Sequence, residues 1–354
     1  MNWIKLNFSR SRVNQAGKIL VDQNVASEQK NNAIDILSNW RSAHSYPLHV
    51  FSVRLSRLAK QIDPNALVVR RLKRVPSIIK KLQRNQTSSM DMSRMQDIGG
   101  CRAILQGITE VNNLVDVYKK KDKGIYHELK NKKDYIKEPK NDGYRSVHLI
   151  YKYFSNKNTD FNGLLVETQI RTKLQHYWAT AVETVDHFTR QAIKSNEGEK
   201  DWMDFFRLVS SVFANIEGTA IIPGTPQDPK ELKKSVQTLA GKLKVVRKMN
   251  EWTRIHKIIE RFEKDNKTPY AYYLLNLNLT TKELQIAAFE KDQEELANSE
   301  YSKQEERMLA NKEDRDIVLV SAETTKELKK AYPNYFLDTR EFVNILSVYF
   351  KEEN

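Results

Sequence analysis

Hydrophobic residues recur along this chain with two different periods, and the alternation between them lays out its elements. From Ser27 to Trp40 and from Pro47 to Gln61 apolar positions return every three or four residues, which predicts two amphipathic helices, and a third helix is expected over Pro76 to Arg84. Between Asp97 and Leu105 the residues turn β-branched and alternating, and Ser146 to Phe154 and Leu164 to Ile170 alternate clearly, so these three segments are read as strands of one sheet. Helical spacing resumes over Thr172 to Gln191. The densest Pro and Gly cluster, GTAIIPGTPQDPK from Gly218 to Lys230, reads as a linker. Beyond it the pattern predicts a long basic helix or helix pair (Glu231 to Glu263), a β-hairpin over Tyr270 to Glu290 turning at Thr280 and Thr281, and a charged helix over Gln293 to Lys312. A strand (Asp316 to Val320) and two helices (Thr324 to Ala331, Thr339 to Phe350) complete it. The expected class is α+β: a mixed sheet flanked by helices in residues 1–217, a linker at 218–230, and a small C-terminal α+β domain at 231–354.

Composition narrows the possibilities. A chain of 354 residues that is 40% hydrophobic can build two cores, and its single cysteine, Cys101, excludes a disulfide framework and a cysteine-rich zinc site. No segment is long and apolar enough to span a bilayer, so a soluble, cytoplasmic protein without membrane contacts is expected. The net charge of +14 is unevenly spread. Arg54, Arg57, Lys60, Arg70, Arg71, Lys73, Arg74, Lys80, Lys81 and Arg84 face only Asp63 in that stretch, and a second basic run covers Lys119 to Lys140. Such a field concentrates polyanions, nucleic acid among them; lysine-rich surfaces also simply keep proteins in solution, and charge alone leaves both readings open.

The candidate chemistry lies in RMQDIGGCRAIL (Arg94 to Leu105), KDYIKEPKNDGYRSVH (Lys133 to His148) and VETQIRT (Val166 to Thr172). Transfer of a phosphoryl group needs a carboxylate for Mg²⁺, cations to neutralise the moving oxygens, and a platform that aligns the acceptor hydroxyl. Asp97, Arg102, Lys133, Lys140, Tyr144, Arg145, His148, Glu167 and Arg171 supply those parts. Asp97 and Glu167 sit near strands that can be neighbours, an arrangement that lets both carboxylates share one metal.

The order R-x-K-x-x-x-S (Arg71, Lys73, Ser77), D-I-x-G-x-R (Asp97 to Arg102), K-D-Y-I…P-K…G-Y-R-S-x-H and E-x-Q-I-R-T resembles the synthetase domain of RelA/SpoT proteins, which make the alarmone (p)ppGpp. The resemblance covers Arg71 to Glu183 and implies a nucleotidyltransferase-like fold, ATP as pyrophosphate donor and Mg²⁺. On that pattern Arg71 and Arg102 stack on either side of the adenine. Lys73, Ser77, Lys80 or Lys81, and Lys133 hold the triphosphate, with the adjacent Lys80 and Lys81 not separable from sequence. Asp97 binds Mg²⁺, and Glu167 is its metal partner or the base toward the attacking hydroxyl, the second being favoured. Lys140, Tyr144, Arg145, His148, Gln169 and Arg171 are assigned to the acceptor, Tyr144 by stacking on its base.

Two departures matter. After the E-x-Q motif the family often reads W-A-x-x-E-H, whereas Trp178 is followed by ATAVETVD, which puts Glu183 one place late. No His-Asp pair of the alarmone hydrolase domain precedes the synthetase motifs. A short synthetase with a large appended C-terminal part resembles the CapRel type of fused toxin–antitoxin in phage defence. That likeness implies transfer of pyrophosphate to the 3′-terminal adenosine of tRNA, restraint by the C-terminal domain, and release by a phage structural protein. The alternative is a (p)ppGpp synthetase acting on GDP or GTP, its tail an oligomerisation element; a degenerate RNA-binding module is weakest because both carboxylates are present. Tyr332 and Tyr335, three apart in AYPNYF, are the candidate restraint, expected to dock near Arg71 and Arg102; ordinary core packing is the competing expectation.

Overall fold

The computed structural model describes residues 3–22, 24–84, 91–120, 127–189, 199–255, 257–258, 270–311, 313–322, 325–332, 335–336 and 339–351. Three helices, α1 (Arg10–Val21), α2 (Ser27–Ala43) and α3 (Ser45–Ile62), lead into strand β1 (Leu67–Leu72) and helix α4 (Val75–Arg84). There follow β2 (Gly99–Leu105), α5 (Ile108–Lys119), β3 (Glu128–Asp134), β4 (Val147–Lys152), β5 (Leu165–Thr172), α6 (Lys173–Thr189) and α7 (Lys200–Glu217). The remainder comprises α8 (Pro229–Leu243), α9 (Val245–Ile255), β6 (Lys257–Ile258), β7 (Tyr270–Asn278), β8 (Glu283–Glu290), α10 (Glu294–Ala310), β9 (Arg315–Ser321), α11 (Thr325–Ala331) and α12 (Arg340–Lys351).

The helices and strands expected from periodicity are present within a few residues. The basic stretch after 230 divides into two helices at Lys244, which adopts φ +53° as the C-cap of α8; near its end Lys257–Ile258 form a strand, β6, paired with β8, instead of the expected helix, and residues 259–263 lie outside the described residues. The hairpin turns where it should, because the Asn278 side chain accepts from the amides of Thr280 and Thr281 at 2.9 and 3.0 Å. Besides β6, two strands escape the pattern. β1 (LVVRRL) carries arginines on both faces, and β3 (ELKNKKD) is an exposed edge strand with no apolar face.

The nine strands among the described residues form one sheet in the order β3-β4-β5-β2-β1-β9-β7-β8-β6. β2 and β5 run parallel and β1, β4 and β3 antiparallel to their neighbours, so the sheet is mixed. The C-terminal strands extend the same sheet through β9, which pairs with β1 at Arg70 to Ser321 and Arg71 to Val320. Helices α3 and α5 pack on one face of the N-terminal strands, around Leu48, Phe51, Leu55, Leu114 and Tyr118. Helix α10 covers the adjoining C-terminal strands through Ala297 and Tyr301, while α11 and α6 lie against other strands. A separate core joins α6 to α7, α8, α9 and α12 through Trp178, Phe206, Val236, Met249 and Phe342.

Ion pairs fasten the C-terminal part to the N-terminal helices and β1. The Arg41 and Glu305 side chains, 1% and 3% exposed, pair at 2.8 Å, and Glu305 also accepts from the Val75 amide at the start of α4 at 2.9 Å. Arg70 pairs with Glu294 at 3.2 Å and Arg74 with Asp316. Removing one partner of the Arg41–Glu305 pair leaves a charge buried without its counter-ion, a loss typically of about 3–5 kcal/mol.

Burial also sets a pH response. His44 is 1% exposed with its Nδ1 donating to the Trp40 carbonyl at 2.7 Å, and burial pushes its pKa down to about 4. A histidine whose folded pKa is depressed withholds a proton that the unfolded chain takes up below pH 6.5, so stability falls as the pH drops from there toward 4. Urea unfolding should therefore show the chain less stable at pH 5 than at pH 7.5, with His44 alone accounting for about 2 kcal/mol. A His44→Asn chain should lose correspondingly less; equal losses would mean that His44 titrates normally in the fold.

Candidate active site

Strand register gathers the charged residues on one face of the sheet. Arg71 lies opposite Gly100, Gly100 opposite Glu167, and Arg102 opposite Gln169, which in turn faces His148 and, across it, Lys133. Because side chains alternate along a strand, these residues share a face while Cys101 and Thr168 point into the core beneath. A cavity of about 90 Å³ opens on that face, lined by Arg71, Lys73, Asp97, Arg102, Glu167, Gln169 and Tyr332 among others.

Asp97 precedes β2 and receives two lysines. Lys73 Nζ donates to Oδ2 at 3.0 Å and Lys81 Nζ to Oδ1 at 2.9 Å. Burial works against the Asp97 charge, but the two ammonium groups more than offset it and hold its pKa below the usual carboxylate value. The structure thereby separates the adjacent lysines: Lys81 meets Asp97, whereas Lys80 is exposed, and Ser77 is half-buried on the same helix.

Glu167 is held on both oxygens. Burial raises its pKa, yet His148 Nδ1–H, donating to Oε1 at 2.9 Å, and the Gln169 amide, donating to Oε2 at 2.7 Å, bring it below the ordinary value. Arg102 Nε donates to the Gln169 oxygen at 3.0 Å, and the Tyr144 hydroxyl meets His148 Nε2 at 2.9 Å. The Lys140 ammonium stands over the rings of both Tyr135 and Tyr144, 4.6 and 5.1 Å from their centroids. Tyr135, inside the quoted motif but given no role from sequence, completes this aromatic corner.

The remaining expected residues sit differently. Lys133 is exposed on the edge strand. Arg145 turns away from the cavity into the packing against α7, where its Nε donates to Ser210 Oγ at 2.9 Å. It thus pins the loop that carries Tyr144, since Ser210 in turn donates to the Gly143 carbonyl at 2.7 Å. Arg171 is buried against His176, whose Nε2–H donates to the Lys330 carbonyl at 2.9 Å, at the end of α11. Burial, the neighbouring Arg171 and Arg102 hold His176 far below its usual pKa, so it is neutral and accepts from Arg171. No motif position signalled His176; the contact that gives it meaning spans 154 residues.

Tyr332 and Tyr335 are both packed in a core, and of the two Tyr332 also lines the cavity. Tyr332 forms part of the cavity wall and its hydroxyl donates to the Arg70 carbonyl at 3.4 Å. Both rings are also buried in a core with Val69, Tyr273, Val318 and Val320. Burial opposes the Arg71 charge, but Tyr335, Tyr332 and Glu183 outweigh it and raise the Arg71 pKa.

Two carboxylates on one cavity supply the hard oxygen donors that Mg²⁺ prefers, and a bound ion would displace Lys73 or Lys81 from Asp97. Among the described residues no group of three or more His, Cys, Asp or Glu side chains is clustered for a metal, so further ligands would have to be nucleotide oxygens or water. No helix among the described residues is long and apolar enough to cross a membrane.

With this geometry in hand, comparison with known proteins is informative. Residues 70–189 match the family model described as the region found in RelA / SpoT proteins. The GTP pyrophosphokinase YjbM of Bacillus subtilis (strain 168) is 32% identical over 139 residues, which is 39% of this chain and 62% of that protein. The GTP pyrophosphokinase YwaC of the same organism is 28% identical over 160 residues, covering 41% of this chain and 73% of that one. The chain thus spans less than two thirds of the length of the first of these relatives. Among solved structures, small alarmone synthetase 1 from Bacillus subtilis bound to its product pppGpp is similar at 24% identity and a TM-score of 0.42, over 49% of this chain and 88% of that one.

One local device is testable without substrate. Gly143 has φ +95°, and a Cβ there would stand 2.7 Å from Trp178 Cζ2 and 3.0 Å from Ser210 Cβ. Gly143→Ala should cost about 1–3 kcal/mol in urea unfolding through backbone strain and the clash. Unchanged stability would mean that the loop carrying Tyr144 shifts freely.

Proposed function

We propose that the chain is an ATP-dependent pyrophosphokinase that transfers pyrophosphate to the 3′-hydroxyl of GDP or GTP, making (p)ppGpp. The observation that carries this reading is the convergence of Arg71, Arg102, Lys73, Asp97 and Glu167 on one cavity within the segment that matches the RelA/SpoT region. The names of the two relatives support the guanosine acceptor over the tRNA expected from the CapRel likeness.

In this mechanism Arg71 and Arg102 hold the adenine by stacking, with Lys73 and Lys81 passing from Asp97 to the triphosphate when the nucleotide enters. Asp97 and Glu167 would hold Mg²⁺, which when bound neutralises charge on the transferring phosphoryl oxygens. Glu167, kept ionised by His148 and Gln169, takes the proton of the acceptor hydroxyl as its oxygen bonds to the β-phosphorus of ATP, the bond from that phosphorus to the α,β-bridging oxygen breaks and AMP leaves. Tyr144 stacks on the acceptor base, and Lys140 leaves the two rings to meet acceptor phosphate.

A tRNA acceptor is the second reading, favoured by the exposed lysines of the edge strand next to the site, Lys130, Lys132 and Lys133. The two separate on incubation with β,γ-labelled ATP and either GDP or tRNA. Label should enter GDP, and Asp97→Asn or Glu167→Gln should reduce that transfer at least about a hundredfold. Label entering tRNA alone would favour the second reading, and near-parental turnover by either variant would remove the assigned roles.

The C-terminal part is proposed to restrain the site. Tyr332 stands in the wall of the cavity beside Arg71 and Arg102, the residues assigned to the adenine, so its ring takes up space that a stacked nucleotide would use. A protein that binds the C-terminal part and favours the undocked state would open the enzyme; a phage structural protein is such a partner by the CapRel likeness alone. Tyr332→Leu, which keeps apolar packing, should tighten binding of a non-hydrolysable ATP analogue about tenfold or more, read by calorimetry. If the ring only fills core, the variant loses stability and gains no affinity.

A further inference from the structure

The hydrogen-bonded chain across the floor of the cavity has a fixed direction. Arg102 Nε can only donate, so the oxygen of the Gln169 amide faces it at 3.0 Å and the NH₂ is left to donate to Glu167 Oε2 at 2.7 Å. The backbone enforces this: Gln169 is two residues from Glu167 on one face of β5 and directly opposite Arg102 on β2. His148 completes the grip on the other carboxylate oxygen. Glu167 is thus oriented from one side by a residue touching Tyr144 and from the other by a residue touching Arg102.

We propose that Gln169 is a positioning residue rather than an acceptor contact: Arg102, fixed against the adenine, orients the Gln169 amide, and that amide aims the Glu167 carboxylate at the acceptor hydroxyl. The proposal rests on the pyrophosphokinase reading and deepens it, since it links occupancy of the donor subsite to readiness of the base. It requires an amide of this length. Glutamate would set a second carboxylate against Glu167, asparagine is one methylene short, and methionine preserves the length while removing both hydrogen bonds.

The test uses the full chain, both unaltered and carrying Tyr332→Leu. Gln169→Met should lower kcat for transfer to GDP about 10–100-fold while the KM values for ATP and GDP stay within about twofold. The kcat losses of Gln169→Met and Arg102→Lys at saturating ATP should be non-additive, because either change breaks the same chain. A raised KM for GDP with unchanged kcat would overturn the proposal in favour of acceptor contact, as would losses that multiply. A measurement independent of turnover is the side-chain amide resonance of Gln169. It should shift when a non-hydrolysable ATP analogue binds, and much less so in Arg102→Lys. An amide indifferent to the analogue overturns the coupling, whereas a responsive amide in a chain that transfers no pyrophosphate upholds it and removes only the pyrophosphokinase reading.

Discussion

Everything at the site depends on one register, the parallel pairing of β2 on β5 that sets Gly100 against Glu167 and Arg102 against Gln169. A slip of one residue would send Glu167 and Gln169 into the core and bring Thr168 to the cavity. The register is held from below, where Cys101, Ala103 and Ile170 are fully or almost fully buried and the Cys101 sulfur meets Thr168 Oγ1 at 3.4 Å. Placement of the charged residues on the upper face is therefore a by-product of hydrophobic packing on the lower one. The small residue Gly100, between Arg71 and Glu167, leaves open space between a guanidinium and a carboxylate.

Much of this was legible in the sequence, and what was not has a physical reason. The D-I-x-G-x-R and E-x-Q-I-R-T segments carry strands whose alternate residues are apolar, so strand and face could be read together at Arg102, Glu167 and Gln169, whereas Asp97, expected to open the strand, stands before β2 and alternation alone would have placed it on the opposite face. Periodicity failed for β1, because its arginines serve opposite faces: Arg70 meets Glu294, while Arg71 lies toward the cavity. Lys80 and Lys81 were indistinguishable until the helix set one of them against Asp97. His176 had no local signal at all, since its partners Arg171 and Lys330 meet only through the fold.

The C-terminal part is tied to the N-terminal one by charge as much as by apolar surface. Arg41, Arg70 and Arg74 come from the N-terminal side, and Glu305, Glu294 and Asp316 from the C-terminal side, so the complementarity runs in one direction. This accounts for part of the basic bias between Arg54 and Arg84: Arg70 and Arg74 are engaged by the chain's own carboxylates rather than offered to a polyanion. Glu305 has a further duty, because the amide it accepts starts α4, the helix that brings Lys81 to Asp97. Docking of α10 and placement of that lysine are thus mechanically connected.

The outer strand β3 has a consequence for behaviour at high concentration. A strand at the rim of a sheet offers unpaired amides and carbonyls to any neighbouring molecule, and a long apolar rim invites sheet-to-sheet aggregation. Here the rim reads ELKNKKD, almost wholly exposed, with an irregularity in its pairing between Leu129 and Asn131. Stacking two such rims would set Lys130, Lys132 and Lys133 against a second copy of themselves, and the bulge would throw the partner out of step. The feature that hides β3 from a hydrophobic pattern, a rim of charged and polar side chains, is the same one that works against edge-to-edge pairing of two copies.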